Sequence, residues 1–150
     1  GFAHCVAVDE QGRAWVWGGG NNGRLGLGDT EHRWTPTLVG ALSAHTIVAA
    51  SAGSAHTVFV TSEGAVLTCG RGRCAGHGSA EDELLPRMVE GLPATAAVSA
   101  GAAHTLAVTC TGEVWSWGYG THGRLGHGTR EHELRPRRIE GVAGAAAVGA

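Results

Sequence analysis

Residues able to do chemistry are plentiful in this 150-residue chain, which carries nine histidines, four cysteines and two stretches with the spacing of a dinucleotide fingerprint. Gly18-Gly-Gly20-Asn-Asn-Gly23 and Gly118-Tyr-Gly120-Thr-His-Gly123 both match G-x-G-x-x-G and both follow a run of β-formers. A pyrophosphate needs a helix N-terminus directly after those glycines, where unpaired N–H groups converge. Gly26 and Gly28, or Gly126 and Gly128, follow instead, so the glycines are expected to make turns rather than a phosphate site. His32 and His132, each preceded by glutamate, have the neighbours for acid–base work, yet their loops are polar and a solvated role is expected. Cys69 and Cys74 have no second pair at zinc spacing, and no serine sits on a strand–turn–helix elbow. No catalytic, cofactor or metal residue is assigned.

The elements that would position such residues follow from an internal repeat. Gly1-Phe-Ala-His4, Gly53-Ser-Ala-His56 and Gly101-Ala-Ala-His104 each open a unit, and Gly12, Gly64 or Gly112 comes eight residues after the histidine. Trp17-Gly18, Cys69-Gly70 and Trp117-Gly118 come next, then Gly26-Leu-Gly28, Gly76-His-Gly78 and Gly126-His-Gly128, and finally Pro36, Pro86 and Pro136. The repeats are 1–52, 53–100 and 101–150, within a single partial domain, 1–150. A histidine in the same place in every unit argues for a buried ring bonding a backbone group. His77 and His127 follow the repeat in the same way.

Each unit predicts four short strands and almost no helix. Hairpins are expected over 4–8 with 13–17, 56–60 with 65–69, and 104–109 with 113–117. A third strand should begin just after each proline, where a missing ladder N–H is tolerated, and a fourth over 47–52, 96–100 and 146–150. Small side chains in that last run suit an inner strand where sheets converge. Trp15 with Trp17, and Trp115 with Trp117, are two apart and share a strand face, so their rings should fill the space between sheets.

Composition agrees. Glycine occurs 26 times, well above its usual share of about 7%, which disfavours long helices. Eleven basic against thirteen acidic residues leave a net charge of −2 and no basic stripe for nucleic acid or an anionic membrane. No run is long and apolar enough for a span, no signal-peptide pattern opens the chain, and without an initiator Met the chain is expected to be an excerpt. The four cysteines are expected to be buried thiols in a reducing, intracellular compartment, cytoplasm or nucleus. The fold class is all-β: radially arranged blades of four antiparallel strands, as in a β-propeller. Three blades do not close a ring, so further blades in the same chain, or self-association, are expected.

The recurring Gly-x-x-His-Thr, the following Gly, the aromatic before Gly, the Gly-x-Leu-Gly-x-Gly and the Pro-x-x-Val together resemble the regulator of chromosome condensation repeat over essentially the whole chain. The resemblance implies a seven-bladed propeller whose blades are cut by the sequence repeat. Family members usually carry Gln where this chain has Arg24 and Arg124, and the middle unit departs as Gly70-Arg-Gly-Arg-Cys-Ala-Gly76. Light-sensing members carry Gly-Trp-Arg-His-Thr in their blades; all three units here lack that Trp and Arg, so photoreception is set aside. The family implies a protein-interaction scaffold or, alternatively, guanine-nucleotide exchange on a small Ras-like GTPase; exchange there uses a projecting β-wedge that these units lack. Partners would be another protein, a small GTPase or a ubiquitin-pathway component. The loops before the prolines vary on a constant frame, as binding loops do. The candidate partner-binding residues are Asp29, Glu31, His32, Arg33 and Trp34; Glu81, Asp82 and Glu83; and Arg130, Glu131, His132, Glu133 and Arg135.

Overall fold

Short β-branched runs separated by glycine turns give eleven strands in the computed structural model, which describes residues 1–150. They are β1 (His4–Val8), β2 (Ala14–Gly18), β3 (Arg33–Leu38), β4 (Ile47–Ala52), β5 (His56–Thr61), β6 (Val66–Gly70), β7 (Glu83–Met88), β8 (Thr95–Ala100), β9 (His104–Thr109), β10 (Val114–Gly118) and β11 (Glu133–Arg138). All pair antiparallel, in three sheets ordered β1-β2-β3, β4-β5-β6-β7 and β8-β9-β10-β11. Each four-stranded sheet takes its first strand from the end of one sequence repeat and the other three from the next.

The hairpins turn at Gly12, Gly64 and Gly112, whose φ of 74°, 81° and 82° lies in the left-handed region that glycine enters without a steric penalty. Their strands match the expected spans to within a residue. The third strand does not. It opens at Arg33, Glu83 or Glu133, and each proline is its fourth residue. This strand is the outer edge, and its register with β2, β6 or β10 slips at a bulge: Val16 faces Thr37 while Gly18 faces Arg33. The proline falls inside that bulge, where no ladder bond is lost. The run 146–150, expected as a strand, has no hairpin within residues 1–150 to pair with and carries no strand; Ala150 N–H still donates to Ser99 Oγ at 3.0 Å.

Neighbouring sheets meet face to face. Between the first and second, Ala14, Val16, Leu25 and Val39 pack with Phe59, Leu67 and Cys69, all buried. Burying one such side chain contributes about 1.5–3 kcal/mol. Between the second and third lies a smaller valine cluster, Val58, Val60, Val66 and Val89, and fully buried Trp117, whose Nε1–H donates to Cys74 O at 3.0 Å. The ring lies against Gly76, where an added Cβ would sit 2.9 Å from the indole nitrogen. Trp117 thus fills the space between sheets as its spacing implies, and Trp17 holds the equivalent place on the open face of the first sheet.

Polar groups fasten the sheets as well. His4 Nε2 lies 2.7 Å from Thr57 Oγ1, and His56 Nε2 lies 2.8 Å from Thr105 Oγ1, each bond joining one sheet to the next. Thr57 Oγ1 donates onward to Arg24 O at 2.6 Å, so the imidazole is the donor to Thr57. His4 and His56 therefore bond a side-chain hydroxyl, not the backbone group the sequence suggested. Their Nδ1 atoms are buried without a partner. Burial accordingly pulls His56 and His4 down to about 4, Arg24 adding to the effect on His4. The inner strands are tied too, Ala100 N–H donating to Ser51 Oγ at 3.0 Å.

Candidate functional site

The glycine-rich stretches form turns on one face of the molecule. Asn21–Gly23 and Thr121–Gly123 are single 3₁₀ turns, while the shorter middle loop makes a four-residue helix, α1 (Gly72–Ala75). These loops join β2 to β3, β6 to β7 and β10 to β11, and they lie beside the loops that precede the repeated histidines. Gly19 N–H donates to Ala3 O at 2.7 Å, Arg71 N–H to Ala55 O at 2.9 Å and Tyr119 N–H to Ala103 O at 2.9 Å. Arg24 is buried and donates to Gly19 O, Ser54 O and Asn21 Oδ1 at 2.8, 2.7 and 3.0 Å, so it also bridges to the second sheet.

The candidate residues divide by what they touch. His32 Nδ1 accepts Gly20 N–H at 3.0 Å and His132 Nδ1 accepts Gly120 N–H at 3.1 Å; in the middle loop Asp82 Oδ1 takes Gly72 N–H at 3.1 Å. All three close their loop, and glycine is needed at the donor because the carbonyl of Glu31, Glu81 or Glu131 occupies the place of a Cβ. The Glu-His neighbours are thus exposed rings with one nitrogen committed to a loop backbone. Asp29 accepts Glu31 N–H at 2.9 Å and pairs with Arg33 at 2.7 Å, a bond that holds its carboxyl below the usual range. Glu83 pairs with Arg87 at 2.8 Å and Glu133 with Arg137 at 2.7 Å. Asn22 Nδ2 donates to Asp82 Oδ2 at 2.7 Å and links the first two loops.

Glu31, Glu81, Arg130 and Glu131 project without an internal side-chain bond, and Arg135 lies 4.0 Å from Glu90. Trp34 is 91% exposed. Its counterpart in the second sheet, Leu84, abuts Gly23 of the first, so position 34 is the one that faces a preceding sheet. Sequence reasoning passed over Arg71 and Tyr119, which the structure puts together: the Arg71 guanidinium lies 5.7 Å from the ring centre of Tyr119, whose ring in turn lies 4.8 Å from that of His132. The fixed twelve-residue step from Gly20 to His32 and from Gly120 to His132 was a signal for the loop-closing bonds.

Burial pushes the Cys69 thiol up to about 12 and Cys74 up to about 11, so neither is a thiolate near neutrality. The other two cysteines are exposed rather than buried as expected, Cys5 on β1 and Cys110 beside a hairpin turn. No group of three or more His, Cys, Asp or Glu is placed to hold a metal ion, and no helix is long and apolar enough to cross a membrane. A cleft of about 280 Å³ lies on the opposite face between Arg13, Leu38, Leu42 and His45.

Antiparallel sheets stacked face to face around converging inner strands, with loops gathered on one face, define a β-propeller segment. The regulator of chromosome condensation (RCC1) repeat matches residues 11–60, 63–108 and 111–150, and the chain belongs to that family. It is 40% identical over 95 residues to the E3 ubiquitin-protein ligase HERC2 of Homo sapiens, a match covering 59% of this chain and 2% of that protein. With the ultraviolet-B receptor UVR8 of Arabidopsis thaliana it shares 37% over 91 residues, 59% of this chain and 21% of the receptor. Among solved structures, Prp20p of Saccharomyces cerevisiae, a protein studied for its binding to Gsp1p and histones, superposes with a TM-score of 0.84 at 26% identity, covering 92% of this chain and 36% of that one. The chain spans a small part of these relatives' lengths, and the ligase match is confined to the repeats.

Proposed function

We propose that this chain is a protein-interaction module of the RCC1-repeat type, and that it meets its partner through the loops between β2 and β3, β6 and β7, and β10 and β11. One observation carries the proposal. The bond that closes each loop is kept while the residue making it changes, His32 to Asp82 to His132, and the residues just before it, Thr30-Glu31, Ala80-Glu81 and Arg130-Glu131, stay exposed with side chains that make no internal bond. A frame that conserves geometry and frees side chains is suited to recognition. Partners from the ubiquitin pathway are supported by the likeness to HERC2. An intracellular setting goes with four unpaired thiols.

A second reading, guanine-nucleotide exchange on a small GTPase, is favoured by the superposition on Prp20p, which binds Gsp1p. The two part in one experiment. The chain is titrated against small GTPases and ubiquitin-pathway proteins, and release of a fluorescent guanine nucleotide is followed in parallel. The interaction reading expects a stoichiometric complex with an unchanged release rate, and an affinity that moves at least fivefold when Glu31, Glu81 and Glu131 are together replaced by glutamine. Accelerated release establishes exchange instead, and an affinity indifferent to the triple replacement at low and high salt removes the loops from the interface.

A further inference from the structure

All eleven basic residues of this chain are arginines, and the structure sorts them. Arg13, Arg33, Arg87, Arg135, Arg137 and Arg138, on the strands and the opposite face, each lie within 4.0 Å of a carboxylate. The remaining five, Arg24, Arg71, Arg73, Arg124 and Arg130, have no carboxylate partner, and all five lie in the three loops of the candidate face. Four of them occupy the first half of their loop, the half bonded to Ala3, Ser54, Ala55 and Ala103 beside the inner strands. Arg24 is the plainest case: a buried guanidinium satisfied only by neutral oxygens, its charge not neutralised. Arg71 rests over an aromatic ring, which orients a guanidinium and leaves its edge free to bind.

Unpaired carboxylates have the complementary arrangement. Glu31, Glu81 and Glu131 stand in the second half of the loops, toward the outer strands, while Glu10 and Glu63 are exposed on the hairpin turns of the opposite face. The candidate face thus has a positive centre inside a rim of glutamates, with Arg130 the one unpaired arginine among them, on a molecule whose net charge is −2. We propose that this centre receives an acidic, Asp/Glu-rich polypeptide segment of the partner, an inference that rests on the interaction reading above. A single extended strand passes between the rim glutamates and reaches Arg71 and Arg73, exposed guanidiniums that offer paired donors of the geometry carboxylates accept. A nucleic acid duplex presents a broad phosphate surface that the same glutamates repel.

The test uses a fluorescein-labelled peptide of twelve residues alternating Glu or Asp with Gly or Ser, its Gln/Asn counterpart, and a short DNA duplex, each titrated against the chain at low and physiological salt. Binding of the acidic peptide alone, weakened by salt, lowered at least fivefold in R71Q/R73Q and raised in E31Q/E81Q/E131Q, supports the proposal. Glu63→Gln on the opposite face should leave it unchanged, and thermal unfolding confirms that each variant is folded. Equal binding of the neutral peptide, tighter binding of the duplex, no binding, or indifference to R71Q/R73Q overturns it; R73Q alone serves should the double variant unfold. If the acidic peptide fails while a protein partner still binds and still responds to the rim glutamates, the interaction reading stands and only the acidic chemistry falls.

Discussion

Apart from the His4–Thr57 bond and Arg24, the junction between the first two sheets is lined by hydrocarbon, whereas the junction between the second and third adds further hydroxyl, imidazole and indole groups to its valines. Val16 and Leu27 stand in the first where the second has Thr68 and His77, with Thr68 Oγ1 donating to Ala75 O at 2.6 Å and meeting His77 Nε2 at 2.8 Å. Ser116 and His127 repeat the polar version on the third sheet, at 2.9 Å. Bulk is exchanged as well. The second sheet presents Phe59, Leu67 and Cys69 to its predecessor, and the third presents Ala107, Trp115 and Trp117 from the same register positions. Bulk thus moves from the first strand of the pair, Phe59 against Ala107, to the second, Leu67 and Cys69 against Trp115 and Trp117. What the two junctions share is the His–Thr bond. The repeat therefore specifies a distance between sheets, and several chemistries satisfy it.

The largest effect should come from emptying either junction. Phe59→Ala in the first and Trp117→Ala in the second should each cost about 3–5 kcal/mol, since both side chains are fully buried. Urea unfolding measures this, and hydrogen exchange on β5 and β10 shows which junction opens; a cost under about 1 kcal/mol at one site would mean that junction is not held by its ring. Acid should come next and act on both junctions through their common bond. His56 sits at about 4 in the fold against an ordinary value near 6.5, so between those values the unfolded chain takes up a proton that the folded chain refuses. Stability should be flat above about pH 6.5 and fall by up to about 3 kcal/mol as pH drops toward 4, at about 1.4 kcal/mol per pKa unit. Urea midpoints across that range give the slope, which His56→Gln should flatten; an equal slope in the variant would assign the acid loss elsewhere.

Converting the second junction to the chemistry of the first is a finer probe. Thr68→Val alone leaves His77 Nε2 and Ala75 O without a partner and should cost about 1–3 kcal/mol, while Thr68→Val with His77→Leu should recover most of it. Additive costs in that double-mutant cycle would show that the two positions are independent. Smallest of all should be the strand ion pairs. Glu133→Gln, which releases Arg137 at 2.7 Å on the exposed outer strand, should change stability by less than about 1 kcal/mol and not at all at high salt.

Much of this was legible in the sequence, where strand alternation, hairpin glycines and the recurring His reveal the sheets and their order. The outer strands were not, because proline ordinarily marks a strand's beginning, and only the bulge at Trp17, Cys69 and Trp117 shows why it is accepted three residues in. The partner of each histidine was hidden too, since Thr57 and Thr105 stand next to His56 and His104 in sequence but serve the histidine of the preceding unit. Of the candidate loops, their positions could be read and their division of labour could not. Asp82 and His132 differ in type, and only their shared contact with a glycine N–H shows that they do the same thing.

Both bonded imidazoles reach forward: His4 holds the second sheet and His56 the third. The array thus has a direction, a histidine plug on one unit meeting a threonine socket, Thr57 or Thr105, on the next, while the first unit has Cys5 at the socket position. Duplicating or deleting the second unit in the gene leaves each plug facing a socket, whereas an insertion of part of a unit strands one of each. Such an arrangement lets a lineage lengthen or shorten the array by recombination while the rest of the fold goes undisturbed.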